Sequence, residues 1–171
     1  MGTKIFLMDS NSYITPYKTY YNFDFAKGFW NTLESGLQNR SIVMIDKVKE
    51  ELLAGEDDLS DWVKNLEGID VIDHRTEEVL NVYGSILQYV QTIGLYKVEA
   101  LTEWSRENIA DAWIIAVAKV YGFTIVTFEK PNNGLHANNP SRNAKIPDVA
   151  KVFGVDTIDL FDMMRYLNFK L

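Results

Sequence analysis

Apolar and polar positions along the chain alternate between two rhythms. Lys4–Met8 is apolar on both faces and predicts a central, parallel strand. Ser41–Ile45, Ile69–Ile72, Thr124–Phe128 and Val155–Ile158 predict further strands, with Thr124–Phe128 another inner one. Between them lie helical patterns. Thr15-Pro16 predicts a helix start, with Pro at the first helical position. Phe25–Gln38 is amphipathic through Phe25, Phe29, Trp30, Leu33 and Leu37. Asp46 predicts an N-cap for Lys47–Ala54, which Gly55 ends. Leu59–Leu66 predicts a short helix, and Thr76–Arg106 a mostly helical stretch with breaks at Gly84 and Gly94. Asn108–Tyr121 follows, closed by Gly122, then a polar loop, Lys130–Lys145. The chain ends in the helix Ile146–Phe153, the last strand and the helix Asp159–Asn168. Strands alternating with helices predict a single α/β domain over residues 1–171, with a mainly parallel central sheet between two helical layers.

Composition narrows the chemistry. With 47% hydrophobic and 24% charged residues, the 171-residue chain reads as a soluble globule. The absence of cysteine excludes disulfides, thiolate metal sites and Cys nucleophiles, and fits a reducing cytoplasm. Ile5–Met8 is too short for a signal-peptide core, and Lys119 and Gly122 interrupt the apolar stretch Ala112–Val126, so no membrane association is expected. A net charge of −7 argues against a broad electrostatic grip on nucleic acid, but leaves room for a metal-mediated one.

Four carboxylates stand out by position. Asp9 directly follows the first strand, where ligands bind in open α/β sheets. Glu51 shares a helix face with Val48 and Leu52, whereas Glu50, Lys47 and Ala54 lie largely on the other, toward water. Asp111 opens a helix apolar on every side, so it is expected under heavy desolvation. Glu129 ends the strand Thr124–Phe128, on the side of Thr127. Taken singly, each has a plainer role as a cap, a turn residue or an edge carboxylate. Together, buried carboxylates need hydrogen bonds or a cation, which points to a hard-cation site and phosphoryl-transfer chemistry.

These segments resemble the PIN-domain family of metal-dependent ribonucleases, which includes VapC-type toxins. Phe6-Leu7-Met8-Asp9-Ser10-Asn11 resembles that family's first strand and first acid. Val48-Lys49-Glu50-Glu51-Leu52-Leu53-Ala54-Gly55 is similar to its helix bearing a Glu-Leu pair, which selects Glu51. Ala110 to Ala118 resembles its segment with the third acid, and Val126-Thr127-Phe128-Glu129 its Thr-x-acid strand end, with Glu where Asp is usual. The Phe29-Trp30 segment and the tail from Ile146 resemble a less characterised PIN-like branch. The resemblance implies a three-layer fold and a cytoplasmic endoribonuclease, with Asp9, Glu51, Asp111 and Glu129 as catalytic acids and ligands of Mg²⁺ or Mn²⁺. It also implies an RNA substrate and leaves open a cognate antitoxin and a homodimer. Ser10, Asn11 and Thr127 would hold the acids in place. The alternative is a PIN-like protein- or RNA-binding module without catalysis.

Other chemistries lack their residues. Asp9-Ser10-Asn11-Ser12-Tyr13 has no second Asp for a haloacid-dehalogenase-type phosphatase, and no paired acids mark a response-regulator receiver. There is no glycine-rich phosphate loop, and His74 and His136, without metal-ligand spacing, are expected at the surface. The aromatic run Tyr13, Tyr17, Tyr20, Tyr21, Phe23 and Phe25 reads as a lid over the core in preference to a base-stacking platform. Lys130, Arg142 and Lys145 lie in a loop without Asp or Glu and are candidate contacts to RNA phosphates.

Overall fold

A computed structural model describes residues 2–171. The strands are β1 (Phe6–Met8), β2 (Ile42–Ile45), β3 (Val71–Ile72), β4 (Thr124–Val126) and β5 (Thr157–Ile158). They form one parallel sheet in the order β3-β2-β1-β4-β5, in register through Phe6–Ile42, Phe6–Thr124, Ile45–Ile72 and Val126–Ile158. β1 is central and β4 inner, as the all-apolar pattern predicts, and both are fully buried. β1, β2, β3 and β5 end where predicted but begin one or two residues later, and β4 stops at Val126, two residues early, although the Thr127 N–H still donates to the Ile158 carbonyl at 3.0 Å.

Helices α1 (Asn11–Thr15), α2 (Lys27–Gln38), α3 (Asp46–Leu53) and α4 (Asp58–Lys64) connect the first three strands. Helices α5 (Glu77–Thr92), α6 (Val98–Trp104) and α7 (Asp111–Tyr121) lead to β4, α8 (Ile146–Val152) to β5, and α9 (Leu160–Tyr166) follows. The chain moves from β1 outward to β3, then returns to the opposite side of β1. Right-handed crossovers therefore put α2–α4 on one face and α5–α8 on the other, and the α5–α7, α7–α8 and α3–α4 packing agrees. This is the expected three-layer α/β/α architecture.

Close packing fixes the layers locally. At Gly36 of α2 a Cβ would meet the end of the Ile42 side chain of β2 at 2.7 Å, so a larger residue there would force Ile42 to shift. Gly122 ends α7 with φ 74°, a conformation that costs glycine nothing. No helix among the described residues is long and apolar enough to cross a membrane.

Several local expectations are corrected. The first helix begins at Asn11, not at Pro16. Where Pro16 removes a donor, the turn widens to a π-helical one over Pro16–Tyr20, closed by Tyr21 N–H to the Pro16 carbonyl at 2.7 Å. After α3 the left-handed residue is Glu56 (φ 51°), not Gly55. Asp46 is the first residue of α3 and not its cap, although its carboxylate accepts from Lys47 N–H. Gly84 does not break α5, whose packed face outweighs one exposed glycine, whereas Gly94 (φ 80°) does end it. Of the aromatic run, Tyr13 is fully buried, Tyr21 stacks on Phe29 at 4.4 Å and Phe23 on Trp30 at 4.2 Å. Phe25 and Tyr20 are exposed.

Candidate metal centre

The sheet's direction of winding reverses between β1 and β4, and ligands of open α/β sheets bind at that reversal, beyond the carboxyl ends of the strands. Asp9 follows β1 there and Thr127 follows β4. Asp9 is buried; one carboxylate oxygen accepts the Ser12 N–H at 2.8 Å and the other the Thr127 hydroxyl at 2.6 Å. The Ser12 hydroxyl in turn donates to the Val126 carbonyl at 2.9 Å, pinning the start of α1 to the end of β4. Burial raises the Asp9 pKa above the ordinary carboxylate value, and the charge on Glu129 adds to it against the lowering hydrogen bonds.

Glu51 reaches the same place from α3. Its carboxylate accepts the Ala110 N–H at 3.0 Å on one oxygen and the Ser10 hydroxyl on the other. Ala110 precedes α7, so Glu51 satisfies an orphan donor at that helix's start. Burial raises its pKa, opposed by these bonds and by Lys47. Glu50 is largely exposed, as the helix phase predicts. Glu129 bridges differently: one oxygen accepts the Ile146 N–H that opens α8, at 2.7 Å, and the other lies 3.5 Å from Lys145 Nζ.

Asp111, the first residue of α7, is the exception. Among the described residues its carboxylate accepts no hydrogen bond and forms no ion pair, while the charges of Glu129, Glu51 and Asp9 act on it. Burial and those three charges push its pKa up to about 7, with Lys145 alone pulling it down. The arrangement therefore has three braced carboxylates around an unbraced one.

The remaining expectations divide. Ser10 and Thr127 do brace acids. Asn11 is exposed and, among the described residues, its side chain enters no such bond; the donor in that turn is Ser12 N–H, three residues after Asp9. Lys145 lies at the centre, whereas Lys130 faces Asp159 at 3.9 Å and Arg142 faces Glu99 at 3.6 Å. Sequence reasoning missed the Ala110 and Ile146 amides, although each begins a recognisable helix and so carries an orphan donor. It also placed Lys47 toward water. Lys47 is buried, its ammonium donating to the Glu107 carbonyl at 2.9 Å, because residues before α7 cover that turn of α3.

His74 is likewise half-buried and not a surface residue. Its Nδ1 lies 2.7 Å from Asp46 and its ring stands edge-on to Trp113. Asp46, Asp73 and His74 are the group of described residues whose donor atoms lie within 4.8 Å of one another; the four central acids are set wider. Arg75, however, grips Asp73 through Nε at 2.9 Å and Nη2 at 3.0 Å, holding its pKa down to about 2.

The match that decides membership begins at the first residue of β1 and takes in all four central acids. The chain belongs to the DUF4411 family. That family is described as a domain of unknown function, and its model matches residues 6–171. No curated protein and no solved structure matches the chain.

All four central donors are carboxylate oxygens, the set that hard divalent cations prefer. A spacing wider than direct ligation by all of them suits Mg²⁺, which keeps several waters. The residues fit such an ion.

Proposed function

We propose that this protein is a divalent-metal-dependent ribonuclease, with Asp9, Glu51 and Asp111 as the metal-holding acids. The observation that carries the proposal is the Asp111 carboxylate, half-buried beside three like charges and, among the described residues, without a hydrogen bond or ion pair. A folded chain keeps such an arrangement at a cost in stability, and a cation removes that cost. The resemblance of the four acid-bearing segments to PIN-domain ribonucleases supports the same reading, as does their position at the sheet's reversal point.

A bound Mg²⁺ or Mn²⁺ would supply the positive charge and the activated water for in-line attack on a phosphodiester. The chain's own contribution is orientation. Thr127 and Ser12 fix both oxygens of Asp9, and Ser10 and Ala110 fix those of Glu51. Glu129, held by Ile146 and Lys145, adds negative charge and shapes the rim. Its bracing favours an indirect part, through water.

The test is incubation of purified protein with mixed RNAs in Mg²⁺, Mn²⁺ or EDTA, alongside Asp111→Asn. Cleavage confined to the metal-containing reactions of the parent is expected. RNA bound but intact in every metal would favour the non-catalytic binding module.

A further inference from the structure

A pocket of about 370 Å³ opens beside the acid centre, lined by Lys47, Glu50, Glu51, Ala54, Asn108 and Ile109. It shares Glu51 with the centre, so whatever occupies it lies next to the acids. Its volume falls in the ~300–1,000 Å³ range of small-ligand pockets. Lys47 is the one basic side chain buried among the described residues. A buried ammonium needs partners, and it has one good acceptor, the Glu107 carbonyl at 2.9 Å, and one distant one, Glu50 at 3.5 Å. An ammonium has three donors, so Lys47 retains capacity for an anion. Asn108 adds an amide that both donates and accepts, and Ala54 and Ile109 add an apolar wall.

The pocket on the other flank of the centre, about 300 Å³, is a poorer anion site. It carries Glu129, Asp159 and Asp162, and its Lys130 is exposed and turned toward Asp159.

Resting on the ribonuclease reading, we propose that the Lys47 pocket seats one nucleotide of single-stranded RNA beside the scissile bond. Lys47 contacts its phosphate and Asn108 its sugar or base edge. A base stacked and paired in a duplex cannot enter such a pocket, so unpaired RNA is the substrate form. Glu50 acts as a counterweight, competing for Lys47 and repelling the incoming phosphate.

The experiment measures binding of a short, end-labelled single-stranded RNA in Ca²⁺ by fluorescence anisotropy, and cleavage separately in Mn²⁺. Lys47→Met preserves bulk and should weaken binding about tenfold, as loss of a charged contact does. Glu50→Gln should tighten it. Ala54→Trp, at an exposed position that does not endanger the fold, should block single-stranded RNA and decides the matter if Lys47→Met fails to fold. Unchanged affinity in Ala54→Trp and in folded Lys47→Met overturns the subsite, whatever cleavage shows. The expected binding pattern with no cleavage in Mn²⁺ overturns the ribonuclease reading and keeps the subsite. A parent protein that binds no single-stranded RNA overturns both.

Discussion

Two acid groups occupy the carboxyl ends of the same parallel sheet, and they differ in what their neighbours do for them. At the outer end, Asp46 and Asp73 directly follow β2 and β3, and His74, next to Asp73 in the chain, reaches Asp46. Their donor atoms are close together, but Arg75 takes both oxygens of Asp73 and His74 takes Asp46. At the middle, the donors are set wider, yet among the described residues Asp111 has no hydrogen-bond or ion-pair partner, and the charges of Glu129, Glu51 and Asp9 outweigh that of Lys145. Proximity of donors marks the first group; unmet electrostatic demand marks the second. A metal ion lowers free energy chiefly where the demand is unmet, so the middle group is the candidate centre.

The sharpest way to break this contrast is to remove one charge from each group. Asp111→Asn should reduce RNA cleavage by more than the ~10–100-fold typical of residues that merely support metal ligands. Asp73→Asn should leave cleavage rates near those of the parent. Equal loss in the two variants, measured as initial rates in Mn²⁺, would erase the distinction.

Stability against pH should separate the groups by sign. In EDTA, Asp111 binds its proton more tightly folded than unfolded. Its contribution is therefore full in acid and is lost as pH rises from about 4 through about 7. The change amounts to up to ~4 kcal/mol, since a tenfold change in proton affinity is worth ~1.4 kcal/mol. Asp9 and Glu51, also raised, add in the same direction. Asp73, with its pKa lowered to about 2, stabilises above the usual carboxylate range and loses that contribution as pH falls toward 2. Urea denaturation across pH 4 to 8 should show the decline, Asp111→Asn should flatten it, and Mn²⁺ should raise the melting temperature more at pH 8 than at pH 5. A melting temperature in Mn²⁺ that follows His74→Ala instead would move the metal to the outer group.

A smaller effect is expected from the braces. Thr127→Val removes the donor to Asp9 while keeping the shape of the side chain, and should weaken Mn²⁺ affinity and cleavage by ~10–100-fold. His74→Ala removes the corresponding partner of Asp46 and should lower stability without touching cleavage. Calorimetric titration of Mn²⁺ into both variants makes the comparison direct.

The sequence carried the centre better than it carried its surroundings. Asp9 was legible because an all-apolar run stops on it, and Asp111 because a charge opens a helix that is otherwise apolar as far as Lys119. Glu51 was distinguished from Glu50 by helical phase alone. Lys47 and His74 were not legible, because their burial depends on residues 107–109 folding over α3 and on Trp113 meeting His74, contacts between segments far apart in the chain. Phase tells which side of a helix a residue is on, but not which later segment covers that side. Arg75, whose grip on Asp73 separates the quiet group from the demanding one, is only two residues from it and was missed for a different reason: nothing in the apolar pattern singles out Asp73.

The smallest expected effect concerns residues 130–145. The loop is rich in polar residues and free of acids, which made Lys130, Arg142 and Lys145 look like one basic track. In the fold each has an acidic neighbour on another segment: Asp159, Glu99 and Glu129. Exposed pairs of this kind are worth little, ~0–1 kcal/mol, so RNA phosphates could still draw the cations away. Only Lys145 is beside the candidate centre, where it also moderates Asp111. Lys145→Ala should therefore weaken RNA binding several-fold and reduce the slope of log affinity against log salt by about one, the contribution of one phosphate contact. Lys130→Ala should do less and Arg142→Ala least. Because Lys145 is also the cation that offsets the acids, its loss should tighten Mn²⁺ binding slightly, an effect that a loop merely solvated at a distance would not produce. Three equal, salt-dependent losses would instead restore the continuous basic track that the sequence pattern implied.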